Sequence, residues 1–212
     1  MARKIIEKVP EKQLFDDLEK YQKKALTLGA TDAKIITTNE IIFDERVRMK
    51  CLYPKCYFYG ISGHCPPNSL PISKYRKAVT KYKYAIFFTL EVPPGDFVGT
   101  EVLEKQLYLP RIKKIYDVVS LIEADAFYDG YYFALGFAAG PCKLTFCLNA
   151  DCNVLQGKPC RAAGRSRTSM EGAGMDVFMM STKMGWEIYP CGFNQKPEDV
   201  TIARMDGLIL IY

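Results

Sequence analysis

Seven of the chain's eight cysteines fall into two groups. Cys142, Cys147, Cys152 and Cys160 occupy 19 residues with the spacing C-x4-C-x4-C-x7-C, and Cys51, Cys56 and Cys65 follow C-x4-C-x8-C ahead of Pro66-Pro67. Cys191 stands alone. Four thiols in so short a stretch make either a metal site or a disulfide framework. The compartment separates these two. The opening residues, M-A-R-K-I-I-E-K-V-P-E-K, contain no apolar core of a secretory signal and no cleavage pattern. No run approaches the roughly 18 to 20 apolar residues of a membrane span. The expectation is a cytoplasmic protein, where thiols stay reduced and structural disulfides are rare. Clustered cysteines then point to metal.

Spacing bears on which metal. Zinc fingers and ribbons pair their cysteines as C-x2–4-C and separate the pairs by a longer arm. Neither group here contains C-x2-C. Two x4 gaps suit a loop wrapped around a larger object, and the plant-type ferredoxin run also opens C-x4-C. An iron–sulfur cluster is the leading reading for Cys142, Cys147, Cys152 and Cys160, with zinc or free thiols as alternatives. Lys143, Lys158, Arg161, Arg165 and Arg167 flank this group. They would compensate an anionic cluster or form a solvated basic loop. The formal charge is +5, and two oxidised four-iron sites at about −2 each would bring it near +1. Gly140 and Gly157 would let backbone N–H groups approach sulfur, or simply serve turns.

The first group is one ligand short of a tetrahedral set. Cys191 is the natural fourth ligand, His64 (the chain's single histidine) is the other candidate, and an open metal position is the third possibility. An iron lacking a protein ligand would bind substrate as a Lewis acid. No other catalytic constellation is present: no H-E-x-x-H, no phosphate-binding glycine loop, no G-x-S-x-G. Nor is there a basic tract or aromatic-glycine pattern calling for nucleic acid.

The elements that must position these residues read as strands alternating with helices. Leu14, Leu18, Tyr21, Ala25 and Leu28 give a helical period over 11–28, closed by Gly29. Short strands are expected over 34–38 and 40–43, and a helix from about Pro71 with Ile72, Tyr75, Val79 and Tyr82 on one face. The run Y-A-I-F-F-T-L-E-V, residues 84–92, is apolar enough for a central strand covered on both faces. Residues 101–123 read as helix broken at Pro110, and 131–137 as a strand leading to Gly140-Pro141-Cys142. Thr168 and Glu171 fit a capping box for a helix carrying Met170, Ala173, Val177, Met180 and Met184. Residues 186–189 and 208–211 complete the strands. The expected fold is one α/β (or α+β) domain spanning 1–212. Its sheet is mixed, its first 44 residues hold the N-terminal helix and strands, and its two cysteine loops converge at one edge.

Three segments resemble a known family. They are Cys51-x4-Cys56-x2-Tyr59-Gly60 with Cys65-Pro66-Pro67; Gly140-Pro141-Cys142-Lys143-Leu144 through Cys152-Asn153-Val154 to Pro159-Cys160-Arg161; and Arg167-x-Ser169-Met170-Glu171 with Gly174-Met175-Asp176-Val177. The chain is similar, from about residue 45 onward, to a Cys-rich family of predicted metal-binding proteins of unknown function from anaerobic archaea and bacteria. The resemblance implies metal binding, as iron–sulfur clusters, and carries no settled activity. The family packs its middle cysteines more tightly than Cys147 and Cys152 are packed here, and Cys191 lies outside its pattern. The expected function is electron transfer by up to two [4Fe-4S] clusters with a redox partner protein. The alternatives are an enzyme with an open iron for a small-molecule substrate, of lyase or desulfurase type, and a zinc-stabilised interaction module.

Overall fold

A computed structural model describes residues 2–212, the side chain of Leu103 excepted. In chain order its elements are α1 (Glu11–Thr27), β1 (Asp32–Thr37), α2 (Glu45–Leu52), α3 (Ile72–Val79), β2 (Tyr84–Val92), α4 (Glu101–Lys105), α5 (Leu109–Tyr128), β3 (Leu135–Phe137), α6 (Cys142–Phe146), α7 (Val177–Lys183) and β4 (Ala203–Leu210). The periodicity of α1 buries Leu14, Leu18, Tyr21 and Ala25 as expected. The break before Pro110 falls at Gln106, which takes a left-handed φ of 52° and separates α4 from α5.

The sheet runs in the order β1-β2-β4-β3 and is antiparallel at every pairing. Strand–helix–strand alternation suggests a mixed sheet, and β2 and β3 do run parallel. The C-terminal β4 slots between them, however, antiparallel to both. The central β2 is covered on both faces, which is why its sequence does not alternate: Phe87 and Phe88 point to opposite sides and both are fully buried. Each contributes about 1.5–3 kcal/mol by leaving water. One face packs under α1 and α5, with Ile86, Phe88, Ile115, Val119 and Ile209 in the core. The other packs under α3, α7 and the intervening segments, with Phe87, Met170, Met175, Met180 and Trp186.

Several local expectations give way to tertiary context. Residues 40–43 form no strand; Thr38–Glu40 is a 3-10 turn and Phe43 makes a single bridge to Met175. The next residues form α2, because Asp44 caps it by accepting from the Arg46 N–H at 2.8 Å. The capping box at Thr168 does not form. Glu171–Ala173 is a 3-10 turn ended by Gly174 at φ +88°, and α7 starts afresh with Asp176 as its cap. Residues 186–189 lie outside any strand, and only 135–137 of the run 131–137 pair in the sheet. Among the described residues, no helix is long and apolar enough to cross a membrane.

Candidate metal centre

The first cysteine loop hangs from the end of α2. Cys51 lies in the helix's last turns, and its carbonyl accepts from Cys56 N–H at 3.0 Å. The stretch after Cys65 turns back, since the Cys65 carbonyl takes the N–H groups of Asn68 and Ser69 at 3.0 and 3.1 Å. The Asn68 amide then clasps the loop, donating to the carbonyls of Gly60 (3.1 Å) and Ser62 (3.2 Å). The second loop starts where β3 delivers the chain to Gly140 and Pro141. Gly140 has φ +69°, a conformation that favours glycine. A Cβ there would also lie 2.9 Å from Ile112 Cδ1. Cys142 opens the short α6 and is 7% exposed.

The two loops meet. The backbone N–H groups of Gly63, Val154 and Leu155 lie close enough to the Cys152 sulfur to stabilise its thiolate, and Leu155 N–H donates to the Cys152 carbonyl at 3.1 Å. A Cβ on Gly63 would sit 2.6 Å from Val154 Cγ1. A cavity of about 320 Å³ opens at this junction, with Cys51, Cys56, Cys65 and Cys142 in its wall. The fold therefore does not group the cysteines by their position in the chain. Cys142 joins the first three, and Cys152 and Cys160 stand near enough for their charges to act on it. Cys147 caps the end of α6 and is not among the residues walling the cavity. The buried Ser62 hydroxyl lies beside the Cys65 and Cys142 thiols and has no conventional hydrogen-bond partner.

Burial raises the thiols of Cys51, Cys65 and Cys142, the last to about 12, and neighbouring cysteine charge adds to each shift. Cys152 goes the other way. Burial pushes it up, but the three backbone N–H groups and Lys143 outweigh that and hold it below its ordinary value.

Neither expected fourth ligand is poised for the first group. Cys191 is exposed, faces the Tyr189 carbonyl at 3.6 Å, and is not part of the cavity wall. His64 does line the cavity, but both ring nitrogens are engaged, Nδ1 with Thr168 Oγ1 at 3.0 Å and Nε2 with Ser166 Oγ at 3.4 Å. Burial, helped by the Arg167 charge, lowers its pKa. Ser166 in turn lies 3.3 Å from Cys160 Sγ. The histidine thus ties the first loop to the second.

The basic residues are mostly committed to structure. Arg167 forms a two-point pair with Glu123 (2.8 and 2.5 Å), Arg165 pairs with Asp117, Arg161 donates to the Asp151 carbonyl at 2.5 Å, and Lys143 to that of Ala150 at 3.0 Å. One lining residue carried no site signal in the sequence beyond its place in a family motif. Glu171 reads there as a helix cap, yet it stands in the cavity wall, with burial raising its pKa.

Among the described residues, no three His, Cys, Asp or Glu side chains converge at single-ion distance. The donors surround a space. No curated protein and no solved structure matches the chain. A family profile does match, over residues 34–211, and so covers both cysteine loops, α3, α7 and the whole sheet but for the start of β1. The chain belongs to the family described as predicted metal-binding protein (DUF2284).

Proposed function

We propose that the chain is an iron–sulfur protein, with up to two [4Fe-4S] clusters, that exchanges single electrons with a redox partner in the cytoplasm. The observation that carries this reading is the cavity itself. Four thiols from two loops wall a space of about 320 Å³, whereas zinc would need four donors about 2.0–2.3 Å from one point. Cys51, Cys56, Cys65 and Cys142 would hold one cluster, and Cys147, Cys152 and Cys160 would serve the other. A cluster there supplies a one-electron couple. At the other, the N–H groups close to Cys152 would favour the reduced form. Exposed Tyr53 and Tyr57 on the first cysteine loop alternate in sequence with the exposed Lys50 and Lys55. That rim suits an acidic partner surface.

Glu171 favours a second reading. A carboxyl in the wall of a metal cavity is placed to hand a proton to a bound substrate, as an enzyme with an open iron would require.

Oxygen-free purification followed by iron, sulfide and zinc quantification tests the proposal. We expect about four irons per cluster, with a paramagnetic signal on reduction. Cys142→Ser should remove or alter one centre, and Cys191→Ser should leave both intact. Iron-free protein holding stoichiometric zinc would overturn the reading.

A further inference from the structure

His64 stands in the middle of a row of hydrogen-bonding groups that runs from the core to the second cysteine loop. Thr168 Oγ1 lies 3.0 Å from its Nδ1 and 3.4 Å from the Tyr75 hydroxyl. On the other side, Ser166 Oγ lies 3.4 Å from Nε2 and 3.3 Å from Cys160 Sγ. The order is Tyr75, Thr168, His64, Ser166, Cys160. Tyr75, Thr168 and Ser166 are buried. The backbone anchors both hydroxyl residues: Ser166 N–H donates to the Ala162 carbonyl at 2.8 Å, and the Thr168 carbonyl accepts from Ala138 N–H at 3.0 Å. Ser166 and Thr168 both turn to His64, while Arg167 between them turns to Glu123.

With every contact made, such a row has two consistent proton orders, because each hydroxyl has one hydrogen to give and a neutral imidazole has one N–H. In the first, Tyr75 donates to Thr168, Thr168 to Nδ1, Nε2–H to Ser166, and Ser166 to the Cys160 sulfur. In the second, every bond is reversed. The two ends decide between them. Among the described residues, Thr168 is the one hydrogen-bond partner of the Tyr75 hydroxyl. Reversal would leave a buried hydrogen there without an acceptor, which is costly. At the other end, a sulfur that ligates metal carries no proton and can only accept. Both ends select the first order. The Cys160 end rests on the proposal that Cys160 is a metal ligand; the Tyr75 end does not.

We propose that His64 is a positioning residue of the metal centre: held by Thr168 as the Nε2–H tautomer, it fixes the Ser166 hydroxyl as a donor to the Cys160 sulfur. Which imidazole nitrogen carries the proton is set by what the other one bonds, and Thr168 makes that choice here. The Nδ1 lone pair is then taken and Nε2 carries the hydrogen, so the ring offers nothing to metal. Its effect passes through Ser166. A donor on a ligating sulfur draws charge from it and favours the reduced form of a bound cluster. The first cysteine loop thereby tunes a ligand of the second.

His64 is the chain's single histidine, so its ring nitrogens can be read without ambiguity. Long-range proton–nitrogen correlation spectra of the ¹⁵N-labelled full-length protein, as isolated without oxygen and again after chelation, should show the Nε2–H tautomer in both states. Thr168→Val removes the donor to Nδ1 and should raise the share of the Nδ1–H form severalfold. The midpoint potential of the bound centre should fall in Ser166→Ala and in His64→Leu. His64→Gln, whose amide can still donate to Ser166, should recover most of that fall. An Nδ1–H or doubly protonated ring, or a tautomer indifferent to Thr168→Val, would overturn the assigned order; these readings need no His64 variant to fold. Nε2–H with an unchanged potential in Ser166→Ala would overturn the role at Cys160. Zinc in place of a cluster would sink the iron–sulfur reading alone, and the tautomer with its response to Thr168→Val would still decide this one.

Discussion

At the scale of single residues, the thiol of Cys142 is the most consequential. It is the point where the second loop enters the cavity walled by the first, and burial pushes its pKa up to about 12. Cys51 and Cys65 are raised as well, also by burial first. Metal binds thiolates, so uptake must expel the protons that these groups hold at neutral pH. The sign follows: each raised thiol makes apparent metal affinity climb with pH, through neutrality and into the alkaline range. Cys152, held below its ordinary value, does not add to the alkaline extension of that slope. Metal titrations in two buffers of different ionisation heat should show proton release on binding that scales with the number of thiols that become ligands. Cys142→Ser should flatten the pH dependence as well as weaken binding. A pH-independent affinity would mean that the thiols are not the ligands.

At the scale of elements, the site depends on two loops keyed together at Gly63 and Val154. A Cβ at Gly63 would meet Val154 at 2.6 Å, well inside contact distance. Gly63→Ala should therefore part the loops and speed metal loss severalfold, with little change in melting temperature, since neither residue belongs to the main core. Adding Val154→Ala should restore retention; rates of metal transfer to a chelator decide it. The same junction marks how far the sequence could be read. Cysteine spacing pointed to metal binding, the property by which the family is described, and the period of α1 and the apolar run of β2 were plain. The grouping of Cys142 with Cys51, Cys56 and Cys65 was not, because it is set by where β3 releases the chain and by a loop contact about 90 residues apart in sequence. The role of His64 was hidden for the same reason: its partners Ser166 and Thr168 lie a hundred residues onward. Asp44 and Asp176 show the local limit. Both are ordinary cap residues, outcompeted in a pattern reading by nearby apolar runs that suggested a strand and a longer helix.

At the scale of the whole molecule, a carboxyl in the middle of the sheet sets the pH response of stability. Asp206 lies on a central strand, hydrogen-bonded to Ser181 of α7, and burial raises its pKa to about 6 from an ordinary 3.8. The folded state thus holds this proton more tightly than the unfolded chain does. Its stabilising effect is complete below about pH 4, fades as pH rises through about 6, and is gone above that. A shift of about 2 units corresponds to about 3 kcal/mol at the upper limit. Asp117 and Asp129 act oppositely. For both, burial pushes upward, but the ion pairs with Lys113 and Arg165, and with Lys20 and Arg3, prevail and lower the pKa. Their stabilisation is present above about pH 4 and is lost in acid. The raw stability curve therefore mixes opposing slopes, and the contribution of Asp206 emerges only by subtraction. Asp206→Asn keeps the shape and the hydrogen bond from Ser181 and removes the titration. In urea unfolding from about pH 4 to 8, the variant should gain on the wild type by roughly 2–3 kcal/mol across the interval between the two pKa values. A constant difference at all pH values would show that Asp206 does not titrate in this range.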